Sequence, residues 1–461
     1  MSIDLTLDRI QRLASHLQPY TRPTCHIAGT NGKGSVAALV SSIFSTSIRV
    51  GRFNSPHLVA VTDSIVIDNE PVTEEVYSTA KADVVEADKQ HGTKLSSFEI
   101  LTLTALLIFE RAKVDVVVLE VGLGGRLDAT NIVSDECVLV SALTAVDLDH
   151  QAFLGNTVEA IAAEKAAIAR SGKPFVLGNQ AHPEVENVVA NAVTNAGATM
   201  LYALPVFTRD WDKDVDGPKP EPFSLSVDGL PPPIPVRFSM PCFDHPVRAL
   251  LPLHGQHQLD NLALAVSVVS AALTSIELAS LRPRFTDKSI ADGIRNTRWA
   301  GRLSFHAYPP LLVLADGAHN PASAITLGAY LSELLAPLPK PISLTYILSL
   351  SAAQQKSPKD TLAPLFALAS QEGIDIGAAL VGFSPPEGMP WVRAVSQPEL
   401  VETVKALHPA VDSWIVPPDI ADELKSALDW ATRRHEGKAG LVVVAGSLYL
   451  VADFYRLLEQ K

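Results

Sequence analysis

The sequence is poor in cysteine: Cys25, Cys137 and Cys242 are the only three in 461 residues, far apart and without a C-x-x-C pair. An odd, scattered set supports neither a disulfide framework nor a zinc site, and it fits a reducing compartment. Long apolar runs are also missing, since none approaches the ~20 residues that span a bilayer. No signal or transit pattern opens the chain; Ile3, Leu7, Ile10, Ala14 and Leu17 instead recur at helical spacing, so Met1–Leu17 is expected to be an amphipathic helix of a cytoplasmic protein. Basic residues are in deficit, with 37 Lys plus Arg against 50 Asp plus Glu and a formal charge of −13. That field repels polyanions, so neither nucleic acid nor a membrane surface is an expected partner. Aromatics are sparse at 6%, yet 47% hydrophobic and 19% charged residues exclude a disordered chain. The length predicts two or three domains and excludes a single small binding module. No tandem repeat is visible.

Over the first part of the chain, short apolar runs alternate with helix-like stretches, the rhythm of a mainly parallel sheet. Cys25–Ala28, Val114–Val121, Val138–Leu143 and Pro174–Leu177 are predicted strands. Each ends in Gly, Asp, Asn or His, on the edge where open α/β sheets place ligands. Pro205–Pro252 carries 11 of the 33 prolines, too many for helix. It reads as loops and short strands attached to the first domain, or alternatively as a disordered linker; Ser224–Val227 and Val236–Ser239 could pair. A helical pattern resumes at Gln258–Thr274. Leu311–Ala315, Ser343–Leu348, Ala379–Val381, Trp414–Val416 and Leu441–Val444 then mark a second α/β rhythm. The expectation is two α/β domains, 1–298 (with the insertion 205–252) and 299–461, cut near 296–303.

The sharpest motif is Gly29-Thr30-Asn31-Gly32-Lys33-Gly34-Ser35, between the strand Cys25–Ala28 and the helical run Val36–Phe44. Small residues let backbone N–H groups close around phosphate oxygens, and the helix N-terminus adds positive potential. Lys33 would reach the terminal phosphates. The strict G-x-x-x-x-G-K-[ST] spacing is not met, and the plain alternative is a glycine turn between strand and helix. Glu120 closes the next strand and is a candidate Mg²⁺ ligand, followed by a loop rich in glycine that also contains Asp128 and Asn131. His150, beyond Asp147-Leu-Asp149, is either a ligand or a structural histidine. Lys165 completes an apolar stripe on a helix predicted from Thr157 to about Arg170 with a cap-like start at Asn156 and Glu159. A buried amine there would be neutral and able to take up CO₂ as a carbamate, but a lysine that packs its stem and reaches water with its head is the simpler reading of the residues. In the second half, Asp316-Gly-Ala-His319-Asn320 follows a strand and Arg302 precedes it. The pair suits a nucleotide, or the segment is only an Asx turn. Ser447, after the last strand, either contacts an anion or only caps a helix.

Taken together and in this order, the motifs resemble the folylpolyglutamate synthase and dihydrofolate synthase family of the Mur-ligase superfamily. The strings that carry the resemblance are His26–Ser35, Ser55-Pro-His-Leu58, Ser97-Phe98-Glu99, Glu120–Asn131, Glu164-Lys165-Ala, Trp299-Ala-Gly-Arg302 and Asp316–Asn320, nearly the whole chain. The resemblance implies a P-loop ATPase-like first domain and a Rossmann-like C-terminal glutamate-ligase domain. It implies that the loop Gly29–Ser35 binds ATP, that Ser55, Glu120 and His150 hold Mg²⁺, with two metal sites, and that Lys165 is carbamylated, against the snorkelling preferred from the residues alone. It places Asn261, Arg302 and Asp316 on the nucleotide, and Ser97–Glu99 with Leu127, Asp128 and Ala129 on the pteroate. His319 and Ser447 are expected on the glutamate side.

Glu387-Gly-Met-Pro-Trp391 and Gly446-Ser-Leu-Tyr-Leu450 look closest to fungal dihydrofolate synthases. Two features depart from the family pattern: Ala167 stands where Gly is usual, and the proline-dense stretch has no clear counterpart. The implied reaction is ATP-dependent addition of L-glutamate to dihydropteroate by a protein expected to be a monomer. The rival readings are a folylpolyglutamate synthase using the same chemistry on a reduced folate, a regulatory protein that binds ATP without ligating anything, and, more distantly, a cell-wall Mur ligase.

Overall fold

A computed structural model describes residues 6–352, 357–386, 391–417 and 422–460. The chain forms two compact units. The first comprises the described chain up to Pro218 together with Ile234–Pro252 and His257–Arg298; the second comprises Lys219–Pro233, Leu253–Gln256 and the chain from Trp299.

The first unit is built on an eight-stranded sheet in the order Glu70–Pro71, Ile65–Ile67, Val50–Phe53, Val116–Glu120, Thr24–Ala28, Val138–Leu143, Pro174–Leu177, Thr199–Tyr202. Ile65–Ile67 pairs antiparallel with both of its neighbours, and all the other pairs are parallel. The central strands TCHIA, VVVLE and VLVSAL are buried at every position, as expected where helices cover both faces of a parallel sheet. Helices Lys33–Phe44 and His257–Leu273, which pack together, are correspondingly apolar almost all round. The four predicted strands are present within two residues. Val50–Phe53 was missed because Gly51 and Arg52 interrupt the apolar run that marks a buried strand.

The second unit holds a six-stranded sheet in the order Ser304–Tyr308, Leu311–Ala315, Ala439–Ala445, Ile342–Leu348, Ile374–Leu380, Asp412–Ile415. Only Ser304–Tyr308 runs antiparallel to its neighbour. Ile374–Leu380 begins five residues before the predicted Ala379, because its Gly377-Ala378-Ala379 centre lacks the bulky residues of a recognisable strand.

Several expectations need correction. The proline-dense stretch does not belong wholly to the first unit. Phe223 and Leu225 pack against the core of the second, and Phe223 meets Phe305 with ring centroids 5.8 Å apart. His254 joins the same cluster, 5.6 Å from Phe305 and 6.2 Å from Tyr330. Ser224–Val227 is not a strand. Ile234–Phe238 pairs instead with Val247–Leu251 and Val206–Thr208 in a three-stranded antiparallel sheet. The first described helix is short, Asp8–Ala14; Ile10 and Leu13 are its buried side chains, and Ile3 lies outside the described residues, as do positions 387–390 of the string that ends at Trp391. No helix among the described residues is long and apolar enough to cross a membrane.

Candidate active site

In the first unit, Ile27 stands level with Glu120 on one side, and Ala28 with Leu143 on the other. Three strands therefore deliver their following residues to one edge. The chain leaves the central strand through Gly29 and reaches Gly32, which has a φ of +94° and opens the helix Lys33–Phe44. No side chain caps that helix, so its first N–H groups, which lack intrahelical acceptors, point outward with the positive end of the dipole. The loop is held from below, where Thr30 N and Asn31 N both donate to the Ala145 carbonyl at 2.9 and 3.1 Å. Lys33 Nζ folds back on the Thr30 carbonyl at 3.3 Å. Side chains are excluded: a Cβ on Gly29 would stand 1.7 Å from Thr144 Oγ1, and one on Gly32 2.3 Å from Asn261 Oδ1. Thr144 Oγ1 is itself buried without a hydrogen-bond partner. Beside them lies a recess of about 90 Å³ lined by Asn31, Gly32, Thr144, His257 and Asn261 among others. Exposed N–H groups, a lysine and a cradle that admits only backbone fit a phosphate chain.

Sequence reasoning named Asn261 but missed the residues that hold it. Gln258 is buried; its Nε2 reaches Ser35 Oγ at 3.3 Å and its Oε1 accepts from Asn261 Nδ2 at 2.9 Å. His257 lies 3.1 Å from the same Gln258 Nε2, and burial lowers its pKa to about 4. The available signal was the amide pair at i and i+3 on an otherwise apolar helix, which places both on one face.

Glu120 is buried at the strand end and accepts from Asn54 Nδ2 at 2.7 Å, while Asn54 Oδ1 is buried without a partner. Ser55 follows Asn54 directly. Carboxylate, amide and hydroxyl oxygens form a hard donor set of the kind Mg²⁺ takes. His150 is more open, half exposed in a left-handed conformation (φ +51°), with Asp149 3.7 Å away. Among the described residues no group of three or more His, Cys, Asp and Glu side chains is gathered as a metal cage; a cation here would rely on Glu120, neutral donors and the substrate's own oxygens.

Lys165 does not snorkel. Its residue is 4% exposed, and Nζ donates to the Gly29 carbonyl at 2.8 Å. Burial, reinforced by the positive charge of Lys33, lowers the amine to about 7. The helix is shorter than expected, Val158–Ala166, and its cap is Thr157, whose hydroxyl accepts from Ala160 N, not Asn156.

Asp128 organises the glycine-rich loop. It is buried and accepts from Leu123 N at 2.8 Å, Thr130 N at 2.9 Å and Thr130 Oγ1 at 2.5 Å. Burial raises its pKa against those hydrogen bonds. Ala129 is buried and Leu127 half-buried. At the start of the helix Ser97–Ala112, Glu99 is also committed: it closes a capping box with Ser96 and accepts from Arg9 Nη2 at 3.1 Å. Ser97 is exposed and Phe98 half-buried, its ring edge 2.3 Å from where a Cβ on Gly122 would lie.

In the second unit, Asp316 is buried at the end of Leu311–Ala315 and accepts from Leu303 N and Ala318 N at 2.8 and 2.9 Å. Burial raises its pKa and Arg302 opposes that rise. Arg302 Nη1 donates to the Gly301 carbonyl at 2.9 Å and lies against Gly317. His319 is exposed, with Nδ1 2.8 Å from the Gly317 carbonyl. Ser447 is buried; its Oγ accepts from Tyr449 N at 3.2 Å as the cap of the helix Leu448–Glu459 and lies 3.5 Å from Ser351 Oγ.

Comparison with known proteins agrees along the whole length. Residues 27–269 match the Mur ligase middle domain and residues 305–457 match the dihydrofolate synthetase C-terminal domain. A probable dihydrofolate synthetase of Schizosaccharomyces pombe is 32% identical over 463 residues, covering 100% of this chain and 99% of that protein. The structure of Escherichia coli FolC in complex with DHPP and ADP matches with a TM-score of 0.75 at 28% identity, covering 100% of this chain and 94% of that one. A bifunctional folylpolyglutamate synthase/dihydrofolate synthase of Yersinia pestis, complexed with AMPPNP and Mn ion, matches with a TM-score of 0.74 at 26% identity, covering 100% and 95%.

Proposed function

The chain belongs to the dihydrofolate synthetase family of Mur-type ligases, and we propose that it joins L-glutamate to 7,8-dihydropteroate at the expense of ATP. It is an ATP-dependent, amide-forming ligase. The observation that carries the reading is the convergence, on one sheet edge, of an uncapped helix N-terminus, Lys33, the buried carboxylate of Glu120 and the buried amine of Lys165 on the Gly29 carbonyl. A glycine turn alone needs none of the last three.

The pteroate carboxylate attacks the γ-phosphorus, ADP leaves, and an acyl phosphate forms. The glutamate amine then attacks the acyl carbon, giving the amide and inorganic phosphate. The N–H groups of the first turn of Lys33–Phe44 and the Lys33 ammonium bind and orient the phosphates, and offset charge on the group in transfer. The wall of Asn261, held by Gln258, fixes the path of the loop at Gly32. Phe98, beside Gly122, offers the flat surface for the pteridine. Arg302 and Asp316 are assigned to the nucleotide, and His319 to glutamate.

Ser55, Glu120 and His150 would hold a divalent cation, which when bound supplies Lewis-acid charge to the phosphoryl oxygens; the Mn ion of the Yersinia pestis relative supports that role. Lys165, with its amine lowered to about 7, is half neutral near pH 7 and adds to CO₂ through its lone pair, losing one proton to give a carbamate anion.

The test offers the purified protein dihydropteroate or tetrahydrofolate monoglutamate, with ATP, Mg²⁺ and labelled L-glutamate. Label incorporated into dihydrofolate is the expected result. Product from the reduced folate alone would overturn the substrate, and phosphate release independent of glutamate would overturn the ligase.

A further inference from the structure

We propose that Tyr455, with His306 behind it, is a positioning residue for Arg302. The proposal rests on the assignment of Arg302 to the nucleotide. The turn that carries Arg302 is held on both sides. On one side, Asp316 accepts from Leu303 N at 2.8 Å and Gly317 N donates to the Gly301 carbonyl at 2.9 Å. That carbonyl also accepts from Arg302 Nη1 at 2.9 Å, so the guanidinium takes its bearing from the Gly301–Arg302 peptide. On the other side, Gly301 N donates to Tyr455 Oη at 3.0 Å, and His306 Nε2 lies 2.9 Å from the same oxygen.

The Gly301 contact has a fixed direction, since a backbone N–H can only donate to the phenol oxygen. Burial lowers His306 to about 4, so its ring is neutral near pH 7. In the tautomer that carries its proton on Nδ1, Nε2 accepts the phenol proton, which leaves the phenol oxygen's own lone pairs for the Gly301 N–H. In that tautomer the donors run from Gly301 N to Tyr455 Oη, and from Tyr455 Oη to His306 Nε2. The His306 and Tyr455 rings meet edge to face at 4.9 Å, which keeps the acceptor aimed at the hydroxyl. Tyr455 belongs to the helix Leu448–Glu459 and His306 to the edge strand Ser304–Tyr308, so two elements outside the Arg302 turn set one of its peptides. Replacing the phenol by phenyl keeps the packing but leaves the Gly301 N–H and His306 Nε2 without this partner, and the Ala300–Gly301 peptide, one glycine φ/ψ pair before the carbonyl that Arg302 bonds, loses this anchor.

The full-length chain is tested as Tyr455→Phe, His306→Phe and His306→Gln. Binding of ADP is measured by calorimetry and kcat/KM is measured with ATP or glutamate varied. Tyr455→Phe and His306→Phe are each expected to weaken ADP binding and kcat/KM for ATP about ten-fold, while the KM for glutamate stays unchanged. The double variant should lose little more than either single one, because both break the same chain of hydrogen bonds. His306→Gln, whose amide oxygen accepts the phenol proton, should recover most of the loss. Unchanged ADP affinity in Tyr455→Phe overturns the proposal, as does an equal loss for ATP and glutamate, which is what simple destabilisation produces. If Tyr455→Phe does not fold, His306→Phe against His306→Gln decides, and equal ADP affinities sink the idea. Wild-type ADP affinity in Arg302→Ala would remove its premise. Since ADP binding needs no turnover, failure to make dihydrofolate would overturn the function above and leave this result readable.

Discussion

Gly32→Ala tests the phosphate cradle most directly, and its cost follows from two separate terms. Gly32 has a φ of +94°, a conformation that costs a residue with a Cβ about 1–2 kcal/mol. The added carbon would also lie 2.3 Å from Asn261 Oδ1 and 3.2 Å from Asn261 Cγ. Non-bonded atoms are most stable near 3.5 Å, so one side must retreat by roughly 1 Å. Asn261 cannot do so freely, because it sits on the buried face of His257–Leu273 with its amide tied to Gln258, which in turn reaches Ser35. The displacement therefore passes into the loop and the first turn of Lys33–Phe44. A 1 Å misplacement of a binding group can cost about 100-fold in rate, which is the drop expected in kcat/KM for ATP. Gly92→Ala is the control. It has a φ of +60° and no atom within 4 Å of the added carbon, so it carries the backbone cost without the clash and should lose about 1 kcal/mol of stability with unchanged kinetics. Steady-state kinetics with ATP varied, alongside thermal unfolding of both variants, decides the matter. Near-wild-type turnover in Gly32→Ala, or equal activity losses in the two, would refute the reasoning.

Lys165→Met should abolish ligation and change the pH dependence of stability. The wild-type amine titrates near 7 when folded and near 10.4 when unfolded; the unfolded chain binds the extra proton between these values, so wild-type stability rises with pH across that window and the variant lacks this slope. The gap in unfolding free energy in carbonate-free buffer should shift in favour of wild type by up to about 1.4 kcal/mol per pH unit from pH 7 to pH 10, and parallel curves in denaturant titrations would contradict it. Asp128→Ala removes the acceptor of three hydrogen bonds in the Gly122–Thr130 loop and is expected to cost roughly 3 kcal/mol, read from urea unfolding; a loss below about 1 kcal/mol would mean the loop is held elsewhere.

The β and α elements of both units were legible where the sequence repeats strongly. VVVLE and VLVSAL are apolar at nearly every position, as strands covered on both faces must be, and the glycine loop between strand and helix announces its own geometry because only small residues permit it. Val50–Phe53 and Ile374–Leu380 were obscured because glycine and small residues carry no hydrophobic signal although the sheet buries them.

The chemistry divides along the same line. Residue type and local spacing alone pointed to a phosphate loop, a carboxylate at a strand end and two α/β rhythms, since these depend on near neighbours in the chain. Only the tertiary structure decided the fate of Lys165, whose amine is turned onto a carbonyl 136 residues away, of Glu99, which accepts from Arg9 90 residues away, and of Phe223 and Leu225, which pack with the second unit. Each of those outcomes rests on burial and on partners distant in sequence. Desolvation and long-range hydrogen bonds settle them, and neither leaves a periodic trace in the order of the residues.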